Sequence, residues 1–172
     1  MIVLLDKMRI TARYDKCVKL SKNHLSFYSK YAFVVLRALR KPLFQRFLCW
    51  LLKRENIEER RVRDVQIRMF PLRKENGNVL AGKCNREEGK IFIYPKRLGF
   101  CQRKTQELGK ETLDFYIQSR ARAALIHELL HLKYASNEEK VRELTRKYFR
   151  IFSKHRHAKN LDTRNVSKLL FT

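Results

Sequence analysis

Apolar residues recur at spacings of three and four in the first third of the chain, at Leu36, Leu39, Leu43, Phe47 and Leu51, with Arg and Lys interleaved. That period predicts amphipathic helix over residues 1–63, and Pro42 should break or kink it by removing a backbone donor and crowding the preceding turn. A charged stretch without apolar rhythm, residues 56–64, then places a boundary near residue 60. Beyond it the period shortens to two. Residues 65–72, 78–84 and 90–94 read as strands of a small antiparallel sheet, separated by turn-prone Glu75-Asn76-Gly77-Asn78 and by residues 85–89. Pro95 ends the last strand, and from about Leu108 a helical pattern runs through Leu113, Tyr116, Ile117, Ala121, Ala124 and Leu125 to Tyr134. A second helix follows at once: residues 136–139 fit the S-x-x-E capping box, and Val141, Leu144, Tyr148 and Phe152 supply its apolar stripe. The expected class is α+β, with a basic helical N-terminal extension (1–60), a main domain of small antiparallel sheet and two helices (61–153), and a basic tail (154–172) ending in Leu169-Leu170-Phe171.

Composition sharpens this reading without changing it. A chain of 172 residues with 44% hydrophobic content, five Gly and three Pro can bury a core, which excludes a disordered or collagen-like chain and a large multidomain assembly. Forty Lys and Arg against 17 Asp and Glu leave a net charge of +23, spread over the whole chain: 16 basic against 5 acidic in residues 1–63, and 24 against 12 in the remainder. Such a surface attracts polyanions, so nonspecific nucleic acid or an anionic membrane surface, met through the basic N-terminal region, is a candidate partner. The most apolar stretch, residues 31–52, is interrupted by Arg37, Arg40, Lys41, Pro42 and Arg46 and is not expected to span a bilayer. Four cysteines without a C-x-x-C pair, and a MIVLL start running straight into Asp6 and Lys7, suit an intracellular, reduced, cytoplasmic protein, at most peripheral to a membrane.

One motif carries specific chemistry. His127-Glu128-Leu129-Leu130-His131 is an H-E-x-x-H within the long helix. Residues four apart lie one above the other on a helix, so both imidazoles can share one tetrahedral Zn2+, with Glu128 beside the open position. The neighbours Ala124, Leu125, Ile126, Leu129, Leu130 and Leu132 are apolar, so the helix should be central; burying these polar groups without partners would cost roughly 2–7 kcal/mol each, which a cation relieves. A zinc hydrolase needs a third protein ligand. His24, His155 and His157 read as surface histidines. Taking Val141, Leu144, Tyr148 and Phe152 as the inward stripe of the second helix, Glu138 falls at its margin and is favoured, while Glu139 suits the capping box and Glu143 a solvated or histidine-orienting role.

At these residues the sequence resembles zinc metallopeptidases of the gluzincin type, most closely the small archaeal minigluzincins and more distantly SprT-like peptidases. The resemblance covers roughly residues 65–152, including a K-I-F-I-Y edge strand ahead of the motif. In three-histidine relatives the third ligand follows an asparagine after a similarly short loop, and Asn137-Glu138 stands in that place. Residues 1–60 have no counterpart in that family, and the longer loop of thermolysin between motif and glutamate is absent. The resemblance implies peptide-bond hydrolysis by a zinc-activated water, with His127, His131 and Glu138 as ligands, Glu128 as general base and a protein or peptide as substrate. Residues 90–94, as an exposed strand beside the cleft, would then pair with an extended peptide, and residues 160–172 are a candidate to fold back over it. The competing class is a basic nucleic-acid-binding protein, or a DNA-recruited protein with a SprT-like protease domain. A degenerate fold kept only for interaction fits less well while both histidines and Glu128 are present.

Overall fold

The computed structural model describes residues 8–74, 77, 79–154 and 170. In chain order the elements are β1 (Arg9–Arg13), α1 (Lys22–Leu39), α2 (Pro42–Arg54), a short 3-10 turn (Glu59–Arg61), β2 (Asp64–Arg68), β3 (Leu72–Arg73), β4 (Val79–Leu80), β5 (Gly82–Asn85), β6 (Lys90–Ile93), α3 (Leu98–Leu108), α4 (Lys110–Tyr134) and α5 (Glu138–Lys154). The class is α+β, as the alternation of periods requires. The sheet, however, is mixed rather than antiparallel: its order is β1-β2-β6-β5, with β1 parallel to β2, β2 parallel to β6, and only β5 antiparallel to β6. β3 and β4 form a separate antiparallel pair. The antiparallel expectation fails because the β3–β4 pair and β5 intervene between β2 and β6, which meet in parallel, and because β1 adds a further parallel strand. Arg9–Arg13 is too short and too charged to announce a strand within a segment read as helix, and it is held by pairing Ile10 with Val65 across the sheet.

Residues before the expected boundary near 60 are therefore part of the same core. α1 buries Tyr31, Ala32, Val35 and Leu39, and α2 buries Phe44, Leu48, Leu51 and Leu52, in one apolar cluster with Val65 and Ile91 of the sheet and with Leu125, Leu129 and Val141. Pro42 does break the run: α1 ends at Leu39 and Pro42 opens α2, where its missing N–H costs nothing. That break resets the helical phase. Leu39 and Leu51 are buried, but Leu43, expected on the same stripe, points to solvent.

α4 runs for 25 residues and is enclosed on nearly every side, with Leu125, Ile126, Leu129 and Leu130 fully buried, each contributing about 1.5–3 kcal/mol by leaving water. α3 lies ahead of the helical pattern read from about Leu108, and Gly109, with φ 81°, closes it and opens α4. Arg122 is buried on α4 between Phe44 and Phe152, its guanidinium 5.6 and 5.5 Å from the two ring centres. At the far end of α4, Lys133 and Tyr134 donate to the buried carboxylate of Glu55, which also accepts the Tyr148 hydroxyl from α5. Glu55 thus ties the end of α2 to both helices that carry the H-E-x-x-H motif and the following glutamate. No described helix is long and apolar enough to cross a membrane.

Candidate metal centre

Residues four apart on α4 set His127 and His131 one above the other, and the two Nε2 atoms face each other at 3.1 Å. The tight connection to α5 brings Glu138 to them: its carboxylate oxygens lie 3.5 Å from His127 Nε2 and 3.2 Å from His131 Nε2. Among the described residues these three form the group able to hold a metal ion, with one ligand atom from each lying within 4.8 Å of the others. Glu139 and Glu143 are exposed, and Glu143 pairs with Lys140. The N-terminus of α5 differs from the expected capping box. Asn137, not Ser136, is the cap, its Oδ1 accepting the Lys140 N–H at 3.1 Å, so Glu138 becomes the first helical residue and its side chain turns toward α4.

The far side of each imidazole decides what the near side offers. His131 Nδ1 lies 2.6 Å from the Ala135 carbonyl, which can only accept, so this nitrogen carries the proton. His127 Nδ1 lies 3.3 Å from Thr145 Oγ1, and that hydroxyl spends its own proton on the Val141 carbonyl. Both Nε2 atoms consequently present lone pairs to the same point, beside a carboxylate. Two lone pairs at that separation repel each other unless a cation lies between them, and imidazole nitrogens with a carboxylate oxygen are a zinc donor set. The residues present fit the metal. Burial, with the charges of Arg142 and Lys74, pulls His127 down to about 4, so its contact with Glu138 is not an ion pair at neutral pH. Burial pushes the Glu138 carboxyl up, but His127 and Arg142 outweigh it and hold it below the usual range.

Glu128 lines the same cleft as His127 and Glu138 and reaches edge strand β5. Its side chain packs against Gly82 of β5, where a Cβ would come within 2.8 Å of Glu128 Cγ, and the Cys84 backbone hydrogen-bonds its carboxylate. Burial, reinforced by the Glu138 charge, pushes its carboxyl up to about 8. Gly82, Thr145 and the Ala135 carbonyl are the site residues that sequence reasoning missed. An isolated glycine inside a strand pattern is a known sign of close approach and was the one available signal.

The strand beside the site also differs from expectation. β6, residues Lys90–Ile93, is interior, paired on both sides, because the turn after β5 returns the chain antiparallel and leaves β5 at the edge. β5 lines a cleft with two lobes. One, of about 420 Å³, extends past His127 and Glu128 toward Tyr116 and Arg120 on α4; the other, of about 770 Å³, extends past His131 toward Lys83 and Arg86. His24 is accounted for elsewhere, with its Nδ1 2.6 Å from Ser21 Oγ at the start of α1. His155, His157 and all of residues 160–172 except Leu170 lie outside the described residues; Leu170 lines the first lobe.

No protein-family model matches the chain. Neither a curated protein nor a solved structure matches it either. What the site can do therefore rests on its own geometry.

Proposed function

We propose that this protein is a zinc-dependent metallopeptidase of gluzincin type, with His127, His131 and Glu138 as the metal ligands and Glu128 as the general base. The observation that carries the reading is the convergence of two lone-pair-bearing Nε2 atoms and one carboxylate on a single point, each imidazole fixed from behind by an oxygen acceptor. When bound, zinc supplies a Lewis acid for the scissile carbonyl and acidifies a water beside it. Glu128, one residue from the first ligand and anchored on β5, would be favoured in its ionised form by the nearby cation, and as the carboxylate it takes the proton of the attacking water while the water oxygen bonds to the carbonyl carbon. The same carboxyl then delivers that proton to the amine nitrogen as the C–N bond breaks. The cleft beside edge strand β5 has room for an extended peptide on both sides of this point.

Metal content of protein purified without added zinc, measured beside peptide hydrolysis, tests the reading. The wild type should carry about one zinc per chain and cleave peptides. Glu128→Gln should keep the metal and lose activity by about 100-fold to 10,000-fold, the range for removing a general base. A Glu128→Gln protein that hydrolyses at the wild-type rate would take Glu128 out of the mechanism.

A second role is favoured by one observation. Lys22–Arg54 holds eight basic residues and no acidic one, and Arg37, Arg40, Lys41, Arg46, Lys53 and Arg54 on its two helices are exposed. This face suits recruitment of the peptidase to DNA or to an anionic membrane. Gel-shift titration at rising salt and flotation with anionic vesicles, each against a variant with Arg37, Arg46 and Arg54 changed to Gln, separate the two surfaces.

A further inference from the structure

The first lobe of the cleft is lined by five cations, Lys74, Lys96, Arg120, Arg142 and Arg146, and by two carboxylates, Glu128 and Glu138. Both carboxylates belong to the candidate metal centre, and Arg142 is paired with Glu138 at 2.9 Å. The end of the lobe farthest from the centre has no such balance. There Arg120 is 6% exposed and donates to the Tyr94 carbonyl at 2.6 Å and the Leu80 carbonyl at 3.4 Å, with the Tyr31 hydroxyl also hydrogen-bonded to it. Lys96, half-buried, holds its Nζ 4.8 Å from the centre of the Phe100 ring. Neither cation makes an ion pair with a carboxylate among the described residues.

Two like charges drawn out of water into one wall oppose folding unless an anion meets them. Arg120 cannot shed its proton, and burial, then the Arg120 charge, pushes the Lys96 ammonium below its ordinary value. The backbone carbonyls that receive Arg120 fix the direction of its guanidinium. Tyr116 stands one helical turn before it on the same face. Such an arrangement, oriented and cationic on the wall of a cleft, is how proteins hold a carboxylate.

We infer that Lys96 and Arg120 form a subsite for a carboxylate of the peptide substrate, so that the enzyme selects peptides with an acidic side chain, or the chain's own terminal carboxylate, at a fixed distance from the scissile bond. The inference rests on the peptidase reading and deepens it. Distance along α4 sets the spacing: Arg120 precedes His127 by seven residues, roughly 10 Å of helix axis. An extended peptide advances about 3.3 Å per residue, so the carboxylate belongs about three residues from the bond cut, or about two when a glutamate side chain reaches forward.

Quenched fluorescent peptides with amidated C-termini, carrying Glu or Gln at each position up to four residues on either side of a fixed bond, test it on the full zinc-loaded chain. A matching peptide with no Glu but a free C-terminus separates the two sources of carboxylate. On one side of the bond, Glu should exceed Gln in kcat/KM by about 10-fold to 100-fold, the worth of a charge-assisted hydrogen bond. Lys96→Met, which keeps the stem over Phe100, should bring the Glu to Gln ratio close to one, and Lys96→Arg should restore it. If only the free C-terminus confers the preference, the subsite reads chain ends. A readout independent of turnover is the fluorescence anisotropy of labelled Glu and Gln peptides on the Glu128→Gln protein, with the same ratios expected in Kd. Equal hydrolysis of Glu and Gln peptides by the wild type with no gain from a free C-terminus, or a preference that Lys96→Met leaves unchanged, overturns the subsite and leaves the peptidase standing. Lys96-dependent binding of Glu peptides with no peptide ever cleaved does the reverse.

Discussion

Gly82 shows how one missing side chain shapes the proposed catalytic group. Adding a Cβ there collides with Glu128 Cγ at 2.8 Å and Oε1 at 2.9 Å, and with no backbone atom closer than 4 Å among its three nearest contacts. A flexible carboxylate can swing aside, so the collision displaces the general base without dismantling the fold. Gly82→Ala is accordingly expected to melt within a few degrees of the wild type and to bind zinc, while kcat falls by about 10-fold or more, since a small misplacement of a catalytic group is costly. Circular dichroism melting beside steady-state hydrolysis reads both effects. A variant that unfolds, or one with wild-type kcat, would show that the contact does not position Glu128. The two histidines and both glutamates were legible in the sequence because their spacing is a property of one helix and the residue after a short turn. Thr145 was not, because its role depends on α5 lying against α4 at one rotation.

At the scale of elements, the connection from α4 to α5 sets the third ligand. The residue that turns the chain, Ala135, has φ 48° and ψ −114°, a conformation natural to glycine and strained for alanine. Its carbonyl is the one that fixes His131 Nδ1, so the strain and the orientation of the ligand share one peptide unit. Relief of about 1–3 kcal/mol of strain exceeds the roughly 0.5–1 kcal/mol that glycine adds in unfolded-chain entropy. Ala135→Gly should therefore raise stability by about 1 kcal/mol in urea denaturation and leave zinc binding intact; a loss of stability would contradict the strain. The capping misassignment belongs here too. Ser136-Asn137-Glu138-Glu139 contains two plausible caps one residue apart. Only the packing of Val141 and Leu144 on α4 selects Asn137, which turns Glu138 rather than Glu139 toward the imidazoles.

At the scale of the whole molecule, Glu55 joins the end of α2 to α4 and α5. The carboxylate is 6% exposed. Burial alone would raise it, but the hydroxyls of Tyr148 and Tyr134 and the Lys133 ammonium outweigh that and hold it below its ordinary value. A carboxyl that titrates lower in the folded chain than in the unfolded one adds stability above the unfolded value of 4.5, and that stability drains away as pH falls through the folded value. Glu55→Gln is expected to cost about 2 kcal/mol at pH 7, the scale of hydrogen bonds to a charged group, with the gap to wild type closing below pH ~4. Urea denaturation across pH 3–7 measures it, and a pH-independent gap would mean that shape rather than charge is lost.

The sequence by itself determined the helix that carries His127, Glu128 and His131, the break at Pro42, the strand character ahead of the motif and the glutamate favoured as third ligand. Each of these is a local matter of period, spacing or backbone chemistry, settled within a few residues. Tertiary structure alone decided that β1 joins the sheet, that β5 rather than β6 is the edge, that residues 8–60 share the core, and that Lys96 and Arg120 meet at one end of the cleft. Those depend on pairings between segments tens of residues apart, where the free energy lies in burying faces against one another, and no local pattern records which faces will meet.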